Sequence, residues 1–413
     1  MGKKILVLGV GQNNFLSFLY SKLKTVNNSY TITAPFFKDL NKDVKYDSWM
    51  YDNATIKRNI NIIDYAKSLI YILTSKHFYQ TVFFIFFVEK KIKKAAHFFL
   101  KSLKEKAFFY VNNNFNEFDT FHFHYMQYSY LREVFLVPKN KNIVCTFWGS
   151  DLLRTTDILN FYFVKKALNR ATFITCQSLE LREIILSKFG RNLSNKTKVA
   201  IFPLEEKIFK ELDDNFKNNE ELISFKKKYS FSSEKYNVLV GHNGNPFNNH
   251  LDIIMALYSL KTNEKIHIIV NLNYALNPGE RENYKKKIIK LLDESEIEYT
   301  ILEKFYTLEE LPFSRFASDI FIHMPSSDAL SNTVIEMLYA KNLVITGSWL
   351  PYKTFTKNDL VYYEVDDYSQ LSAKLDAVIS NYENEKIRVF NNSKIIKENF
   401  LGNNFITNWL EIL

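Results

Sequence analysis

The feature that most constrains the fold is an alternation between short apolar segments and segments of helix length, which the chain repeats twice. Strands are predicted in the first half at residues 3–9, 29–34, 120–124, 142–147 and 172–176. They are predicted in the second half at residues 236–241, 265–271, 299–302, 320–324, 343–346 and 361–364. Strands that alternate with helices indicate parallel sheets covered by helices on both faces. The sequence therefore predicts an α/β protein with two Rossmann-like domains.

The length and the composition agree with two domains. The chain has 413 residues, of which 46% are hydrophobic, and this is enough to fill two cores. Residues 203–235 are charged and weakly patterned, as is typical of a connection between domains. We predict an N-terminal domain at residues 1–205, a C-terminal domain at residues 206–395, and a last helix at residues 396–413 that crosses back to the first domain.

Several classes of protein are disfavoured. The longest purely apolar run is residues 82–88, whereas a helix that spans a bilayer needs about 20 apolar residues. The N-terminus lacks the pattern of a secretory leader or of myristoylation, so we expect a cytoplasmic protein. The two cysteines, Cys145 and Cys176, lack metal-binding spacing, and we expect neither a disulfide framework nor a metal site.

The two halves of the chain carry opposite net charges. Residues 1–200 contain 30 Lys and Arg against 14 Asp and Glu, while residues 201–413 contain 24 against 31. A basic half favours contact with phosphate groups or with an anionic membrane surface. Nucleic acid is a competing partner for such a surface, but the sequence contains no recognised nucleic-acid-binding motif, so we predict none.

The turn after the first predicted strand is rich in glycine. Gly9 and Gly11 begin a dinucleotide-binding pattern, but the third glycine is absent and no acidic residue ends the second strand, so NAD binding is disfavoured. The turn is then either a tight connection from strand to helix or a wall of an interdomain cleft. On the second interpretation, Gly11 and Gln12 are candidates for contact with the acceptor.

A second loop between a strand and a helix contains two carboxylates. Asp328 lies in the polar loop after residues 320–324, and Glu336 follows eight residues later, inside a predicted helix. The free N–H groups and the dipole at such a helix N-terminus suit a nucleotide diphosphate, and a nearby carboxylate can accept hydrogen bonds from ribose hydroxyls. In the alternative interpretation, Asp328 only caps the helix and Glu336 is solvated.

The segment from Phe316 through Glu336 resembles the donor-site segment of GT-B glycosyltransferases, particularly family 4, with Asp328 where the family usually has Glu. The loop at residues 241–250 (GHNGNPFNNH) is similar to a loop of the TDP-Fuc4NAc:lipid-linked-acceptor transferases. Residues 147–152 (FWGSDL) resemble a W-G-x-D-L element of the same enzymes. The resemblance implies a GT-B fold, with two Rossmann-like domains that face each other across a cleft.

The resemblance also implies roles for individual residues. Glu336 would hold the ribose of a UDP-, TDP- or GDP-sugar, Asp328 would lie near the donor sugar, and the backbone of Ala329, Leu330, Ser331 and Asn332 would cradle the diphosphate. The loop at residues 241–250, called the first loop below, would contribute donor contacts from Asn243, Gly244, Asn248, Asn249 and His250. Family 4 enzymes usually place an Arg and a Lys in this loop, which this chain lacks. No cofactor is implied beyond the donor.

Candidates for a general base lie in the N-terminal domain. Asp151 follows Trp148 in the W-G-x-D-L element, and Trp148 is a candidate for contact with the acceptor. His122 and His124 share one face of a predicted strand, so they could act as a base or bind a metal, although no third ligand is apparent. The alternative, which is the commoner case, is that they are hydrogen-bonded polar groups at the end of the sheet. An inverting transfer requires such a base and a retaining transfer does not. The family 4 likeness favours retention.

Residues 89–107 form a basic amphipathic pattern. On a helical wheel, one side collects the apolar residues Ile92, Ala95, Ala96, Phe99, Leu100, Leu103 and Ala107, while the lysines lie opposite. Such a helix either packs its apolar side on the sheet or lies in the headgroup layer of an anionic membrane. The net charge of the basic half favours the membrane, and we expect peripheral association with the inner face of the cytoplasmic membrane.

These observations predict a metal-independent glycosyltransferase that moves a hexose or an aminosugar to a hydroxyl of a lipid-linked or cell-surface glycan. A nucleotide-sugar epimerase of GT-B fold and a non-catalytic membrane- or glycan-binding scaffold on the same fold are the alternatives. Glu336→Ala is expected to weaken nucleotide binding at little cost in folding.

Overall fold

The computed structural model describes residues 2–9, 14–34, 59–401 and 404–413, which form two compact units. The first unit comprises Met1–Pro203 together with Asn403–Leu413, and the second comprises Leu204–Gly402. Each unit contains one six-stranded sheet in which every pair of neighbouring strands is parallel. The predicted α/β class with two Rossmann-like domains is confirmed.

The sheet of the first unit has the order β2-β1-β3-β4-β5-β6. Its strands are β1 (Lys4–Gly9), β2 (Thr31–Thr33), β3 (Thr120–His124), β4 (Asn142–Thr146), β5 (Phe173–Cys176) and β6 (Thr197–Val199). The edge strand β6 was not predicted, because three residues with an exposed lysine in the middle give no apolar run. The strand order reverses between β1 and β3, so their carboxyl ends form the switch point of this sheet.

Within the described residues of the first unit, eight α-helices precede its last strand. They are α1 (Asn14–Val26), α2 (Ile62–Thr74), α3 (Lys76–Phe83), α4 (Ile92–Val111), α5 (Tyr128–Leu131), α6 (Ser150–Leu153), α7 (Ile158–Arg170) and α8 (Leu179–Phe189). On one side of the sheet, β1 and α1 form a core with Leu16, Leu19 and Tyr20, all fully buried. Their spacing follows the helical repeat, which explains why α1 packs along one face.

The sheet of the second unit has the order β12-β11-β10-β7-β8-β9. Its strands are β7 (Tyr236–Val240), β8 (Ile266–Asn271), β9 (Tyr299–Leu302), β10 (Ile320–His323), β11 (Leu343–Gly347) and β12 (Tyr363–Val365). All six were predicted to within two residues at each end. Their apolar residues are almost continuous, as is usual for parallel strands buried on both faces. The order reverses between β7 and β10.

The remaining helices lie in the second half of the chain. They are α9 (Glu206–Asn215), α10 (Asn219–Lys228), α11 (His250–Ala256), α12 (Pro278–Ser295), α13 (Leu311–Phe316), α14 (Asn332–Tyr339), α15 (Lys353–Lys357), α16 (Leu371–Ser380), α17 (Tyr382–Val389), α18 (Asn392–Asn399) and α19 (Asn404–Ile412). The second unit extends beyond residue 395, the predicted limit. Asn392 at the start of α18 exchanges two hydrogen bonds with the backbone of Val361, which keeps α18 in this unit.

The last helix, α19, packs on the first unit. Trp409 is fully buried there, and its Nε1 donates a hydrogen bond to the Ile201 carbonyl at 2.8 Å. The Thr120 hydroxyl of β3 donates to the Leu413 carbonyl at 3.1 Å. The end of the chain is therefore part of the core around α1 rather than a separate segment.

Candidate functional site

The loops after β7 and β10 meet at the carboxyl edge of the second sheet, where the strand order reverses. The Gly241 N–H donates to the Ile322 carbonyl at 3.1 Å, and Asn249 Nδ2 donates to the Met324 carbonyl at 2.9 Å. In open parallel sheets, ligands bind outside the carboxyl ends of the strands at such a switch point. Both segments that carry predicted donor contacts therefore lie at the expected position for a ligand.

Asp328 lies in the loop after β10 and accepts three hydrogen bonds. Its Oδ2 accepts from His323 Nε2 at 2.9 Å and from the Tyr352 hydroxyl at 2.8 Å, and its Oδ1 accepts from the Ala329 N–H at 2.7 Å. Burial by itself would raise the pKa of Asp328, but the hydrogen bonds from His323 and Tyr352 and the nearby imidazoles lower it to about 2. Asp328 is therefore an oriented carboxylate and not a cap of α14.

Glu336 lies inside α14 and forms a buried ion pair. Arg315, near the end of α13, places its Nε at 3.0 Å and its Nη2 at 2.6 Å from the same oxygen, Glu336 Oε2. Each residue is only 7% exposed. The alternative of a solvated Glu336 is therefore wrong. The expectation that Glu336→Ala costs little in folding is also contradicted, because the substitution would leave the Arg315 charge buried and unpaired.

The N-terminus of α14 carries main-chain donors between these two carboxylates. Ser331 is the N-cap residue, and its side chain makes no capping hydrogen bond. The N–H groups of the first helical turn have no intrahelical acceptor, and the helix dipole favours an anion at this end. The preceding residues Ala329 and Leu330 are 7% and 5% exposed, whereas Ser331 and Asn332 are partly exposed.

The loop after β7 is held by its own asparagines. Asn243 Oδ1 accepts from the Asn245 N–H at 2.8 Å and from Asn248 Nδ2 at 2.9 Å. The Gly244 N–H donates to the Tyr274 carbonyl, and a Cβ at Gly244 would lie 2.8 Å from that oxygen, so the close approach requires glycine. The asparagines thus shape this loop from within, besides any contact that they make with a ligand.

His250 begins α11 and is fully buried beside the first loop. Its Nδ1 lies 3.2 Å from the Tyr284 hydroxyl, and its Nε2 has no hydrogen-bond partner among the described residues. Burial lowers the pKa of His250 to about 3. Gly241 has a φ of +66°, and a Cβ there would lie 2.5 Å from His250 Nε2. The neutral imidazole thus fills the space that a side chain at position 241 would need.

Buried polar atoms without a partner concentrate at this edge of the sheet. Within the described ranges, thirteen buried side-chain N or O atoms lack a hydrogen bond. Seven of them lie at the ends of β7, β8, β10 and β11 or in the segments that follow: His242 Nδ1, Asn248 Oδ1, His250 Nε2, Asn271 Oδ1, Asn273 Oδ1, His323 Nδ1 and Thr346 Oγ1. Because most buried polar groups in proteins are paired, this concentration is typical of a site that takes a polar ligand.

The loop at residues 241–250 contains neither the Arg nor the Lys that family 4 enzymes usually place there. Arg315 carries the same charge as the missing side chains, but its ion pair with Glu336 neutralises it. His242 occupies the loop itself, and burial and the neighbouring His323 lower its pKa to about 3, so it is neutral near pH 7. The described part of the site therefore offers main-chain dipoles and neutral donors rather than a free positive charge.

In the first unit, His122 and His124 form one chain of hydrogen bonds with neighbours from α1 and β4. Trp148 Nε1 donates to His124 Nδ1 at 3.3 Å, and the Tyr20 hydroxyl lies 2.8 Å from His124 Nε2 and 2.9 Å from His122 Nδ1. His122 Nε2 lies 2.6 Å from the Thr146 hydroxyl. Because the indole N–H can only donate, His124 Nδ1 accepts, so His124 is a neutral imidazole whose Nε2–H donates to the Tyr20 hydroxyl.

This chain of hydrogen bonds engages all four ring nitrogens of the two histidines. Both residues are fully buried, and burial lowers the pKa of His122 to about 3 and holds that of His124 well below its usual range. A general base needs a free nitrogen that faces its substrate. The geometry thus favours a packing role for His122 and His124, and their role as bases remains a sequence-based prediction.

Asp151 connects the loops after β3 and β4. Its Oδ2 accepts from the Met126 N–H at 2.6 Å, and its Oδ1 accepts from the N–H groups of Trp148 and Gly149 at 2.9 Å each. It is 2% exposed, and burial raises its pKa to about 6 despite these bonds. Asp151 therefore orients the segment that carries Trp148. Gly11 and Gln12, the other predicted acceptor contacts, lie outside the described residues.

Solved glycosyltransferase structures resemble this chain along its whole length. The structure of HepE from Anabaena in complex with UDP and glucose is 11% identical, covers 100% of this chain and 99% of that chain, and gives a TM-score of 0.64. A glycosyltransferase from Rickettsia africae is 14% identical, with 100% and 97% covered and a TM-score of 0.66. Sucrose-phosphate synthase from Thermosynechococcus elongatus is 11% identical, with 100% and 98% covered and a TM-score of 0.64.

This chain has the GT-B glycosyltransferase fold. No protein-family model and no curated protein sequence matches it. The likeness to family 4 and to the Fuc4NAc transferases therefore remains a prediction from the motifs.

Sequence reasoning missed three residues of the candidate site. His323 lies within the segment of family resemblance and Arg315 directly precedes it, but both fit ordinary strand and helix patterns. Tyr352 lies after β11, twenty-four positions from the carboxylate that it contacts. A polar residue at the last position of a buried strand was the available signal for His323.

Within the described ranges, no helix has the length and apolar character needed to cross a membrane. No group of three or more His, Cys, Asp or Glu side chains suited to a metal ion occurs in the same ranges.

Proposed function

We propose that this chain is a glycosyltransferase that binds a nucleoside diphosphate sugar at the carboxyl edge of its second sheet. The observation that carries the proposal is the N-terminus of α14, which lacks a side-chain cap, between the oriented carboxylates Asp328 and Glu336. This helix N-terminus lies at the carboxyl edge of the second sheet, where the strand order reverses, in a chain with the GT-B fold. The structural relatives solved with UDP or UDP-glucose support a nucleotide-sugar ligand.

The diphosphate binds at the first turn of α14. Its oxygens accept hydrogen bonds from the main-chain N–H groups of residues 330–333, and the helix dipole favours its charge. These donors are fixed before the reaction, so they stabilise the negative charge that develops on the leaving diphosphate without reorganising. We propose that this replaces the Arg and Lys that are missing from the first loop, and that the reaction needs no metal ion.

Glu336 holds the ribose. Both Arg315 bonds go to Oε2, so Oε1 is the oxygen that accepts from a ribose hydroxyl, while the ion pair fixes the rotamer of the carboxylate. A charged acceptor strengthens such a bond relative to a neutral one. Arg315 is therefore a positioning residue in this proposal.

Asp328 lies on the side of the donor sugar. His323 and Tyr352 hold its Oδ2, and its low pKa keeps it ionised at any pH at which the protein functions. An ionised carboxylate near the anomeric carbon stabilises the positive charge that develops there as the sugar leaves, and it also accepts a hydrogen bond from a sugar hydroxyl.

The acceptor is a hydroxyl of a lipid-linked or cell-surface glycan, and the transferred group is a hexose or an aminosugar. The motifs that resemble the Fuc4NAc transferases and the basic first half of the chain support this choice. If the transfer inverts the anomeric centre, Asp151 is the candidate base with a pKa of about 6, close to the range in which a base operates near neutral pH.

Calorimetric titration with UDP, GDP and TDP tests the proposal. Asn332 is the first residue of α14, and Ser331 before it has an extended ψ of 120°, a conformation that tolerates a following proline. Asn332→Pro therefore removes one main-chain donor without disturbing the helix, and Asn332→Ala removes only the side chain. We expect the proline variant to bind about 10-fold to 100-fold more weakly than the alanine variant, because hydrogen bonds to charged groups contribute about 1.5–3 kcal/mol.

Equal affinities of these two variants would contradict a diphosphate at α14. A protein that binds none of the three nucleotides would indicate a non-catalytic scaffold. Turnover of a nucleotide sugar in the absence of any acceptor would indicate the epimerase.

A further inference from the structure

Exposed apolar side chains concentrate in one segment of the first unit. Among the described residues, 27 large hydrophobic side chains are exposed, and 13 of them lie between residues 62 and 110, in α2, α3, α4 and the turn between α3 and α4. Isolated exposed hydrophobics are normal, whereas a concentration of this kind marks an interaction site. The segment therefore requires a partner that removes apolar surface from water.

The turn between α3 and α4 is a π-helix at Phe84–Val88. Its inner side is anchored, because Ile85 is fully buried and the Phe84 ring stacks on the Tyr162 ring at 4.0 Å. Four side chains project outward: Phe83, Phe86, Phe87 and Val88, which are 60%, 42%, 58% and 51% exposed. The Phe87 ring lies 4.5 Å from the Phe83 ring and 4.9 Å from the Phe86 ring. We call these four side chains the aromatic tip.

Lysines follow the aromatic tip directly. Lys90, Lys91 and Lys93 are exposed, and the positive φ of 54° at Lys90 turns the chain into α4. On α4 itself, exposed Ile92, Ala96 and Leu100 alternate with exposed Lys93, His97 and Lys101, while Ala95, Phe98 and Ala107 are buried. Of the seven apolar residues that the wheel collects on one side, Ile92, Ala96 and Leu100 are exposed, so that side does not pack on the sheet along its whole width.

The acidic residues of this segment are occupied within the protein. Residues 62–110 contain nine lysines and three acids. Asp64 forms the capping box of α2, Glu89 pairs with Lys94 at 3.0 Å, and Glu105 pairs with Arg132 at 2.6 Å. The surface beside the aromatic tip is therefore both apolar and positively charged, and its partner must combine apolar depth with negative charge.

We infer that the aromatic tip docks on an anionic phospholipid bilayer, with its rings at the acyl boundary and Lys90, Lys91 and Lys93 against the lipid phosphates. A second copy of this chain would bring lysines against lysines, and a nucleic-acid duplex would leave the rings in water. The inference deepens the proposed function, because it names the surface that brings the enzyme to a lipid-linked acceptor. Only the lipid-linked acceptor depends on the proposed function; the docking surface does not.

Co-sedimentation of the full chain with vesicles tests the inference. One set of vesicles contains phosphatidylcholine alone, and the other contains equal parts of phosphatidylcholine and phosphatidylglycerol. We expect binding to the anionic vesicles only. Replacing Lys90, Lys91 and Lys93 by Gln should weaken that binding about 100-fold, since each lysine near an anionic surface contributes roughly a factor of five. Replacing Phe83, Phe86 and Phe87 by Ser should weaken it by at least about 10-fold.

The matched control is the double variant Ile387→Ser and Phe390→Ser, whose side chains are 72% and 61% exposed in the second unit. It should bind vesicles like the wild type. Vesicle binding that is unaffected by the tip variants, or that is equal on both lipids, would overturn the inference. So would self-association that the Phe variant abolishes in a chain that binds no vesicles.

Failure of the docking surface can be distinguished from failure of the proposed function. Nucleotide titration without vesicles should give the same affinity for the wild type and the tip variants. Vesicle binding by a chain that binds no nucleotide would leave the docking surface standing and would refute the transferase.

Discussion

Substituting Glu336 by Ala is predicted to destabilise the second unit strongly. The Arg315 guanidinium donates two hydrogen bonds to Glu336 Oε2, and both side chains are 9% exposed. Removal of one partner from a buried ion pair leaves an uncompensated charge in a medium that solvates it poorly. Measured costs of this kind are about 3–5 kcal/mol. For a domain of this size, 1 kcal/mol lowers Tm by about 2–4 °C, so we expect a decrease of roughly 10 °C.

Urea unfolding and calorimetry of three variants separate the charge effect from loss of packing. The double variant Glu336→Ala/Arg315→Met removes both charges and should lose less stability than Glu336→Ala alone. Glu298→Ala disrupts an exposed pair with Lys235, in which the glutamate side chain is 63% exposed, and it should cost no more than about 1 kcal/mol.

If Glu336→Ala unfolds at the same urea concentration as Glu298→Ala, the buried pair does not exist in solution. If the costs of the two substitutions simply add, so that the double variant is less stable than Glu336→Ala by the full cost of replacing Arg315, the charge argument is refuted. Either result would also remove the rotamer constraint from which the ribose assignment is argued.

Three further predictions concern other parts of the fold. Histidine in the unfolded chain gains a proton near pH 6.5, whereas buried His122 has a pKa of about 3. The contribution of His122 to the free energy of unfolding is therefore complete above pH 6.5 and decreases by about 1.4 kcal/mol per pH unit as the pH falls toward 3. Equal urea midpoints at about pH 7 and about pH 5 would exclude this dependence. Trp409→Ala should cost about 3–5 kcal/mol and lower the melting transition of the first unit, not the second. Gly241→Ala should cost about 1–3 kcal/mol and weaken nucleotide binding, because its φ is +66° and its Cβ would meet His250; wild-type stability would contradict this.

The second sheet could be predicted almost completely from the sequence. Its strands are continuous apolar runs, because both faces of a central parallel strand are buried, and runs such as residues 266–271 stand out against charged helices. Strand β6 could not be predicted in the same way. It is short, it lies at the edge of its sheet, and the exposed Lys198 interrupts its pattern.

The spacing of Asp328 and Glu336 pointed to the candidate site, but the partners of these residues could not be predicted. The burial of Glu336 could not be predicted either, since sequence spacing does not show which face of α14 meets α13. Arg315 reaches it from 21 positions away, and Tyr352 reaches Asp328 from 24. Contacts of that kind depend on how β10 and β11 align, which a single sequence does not encode locally.

The histidines of β3 have partners that the sequence did not reveal either. Two histidines on one strand face suggested chemistry, yet Tyr20 from α1 lies between them and engages both rings. The helical spacing of α1 did not show that the Tyr20 hydroxyl pairs with a strand 102 residues later. Burial of a polar network accounts for these residue types without a catalytic role.

A crystal structure of the full chain with UDP or TDP bound tests the central claim most directly. We predict that the diphosphate oxygens lie within hydrogen-bond distance of the main-chain N–H groups of residues 330–333, and that a ribose hydroxyl contacts Glu336 Oε1 while Arg315 keeps both bonds to Oε2. A nucleotide bound elsewhere on the chain, with the first turn of α14 open to water, would contradict the account.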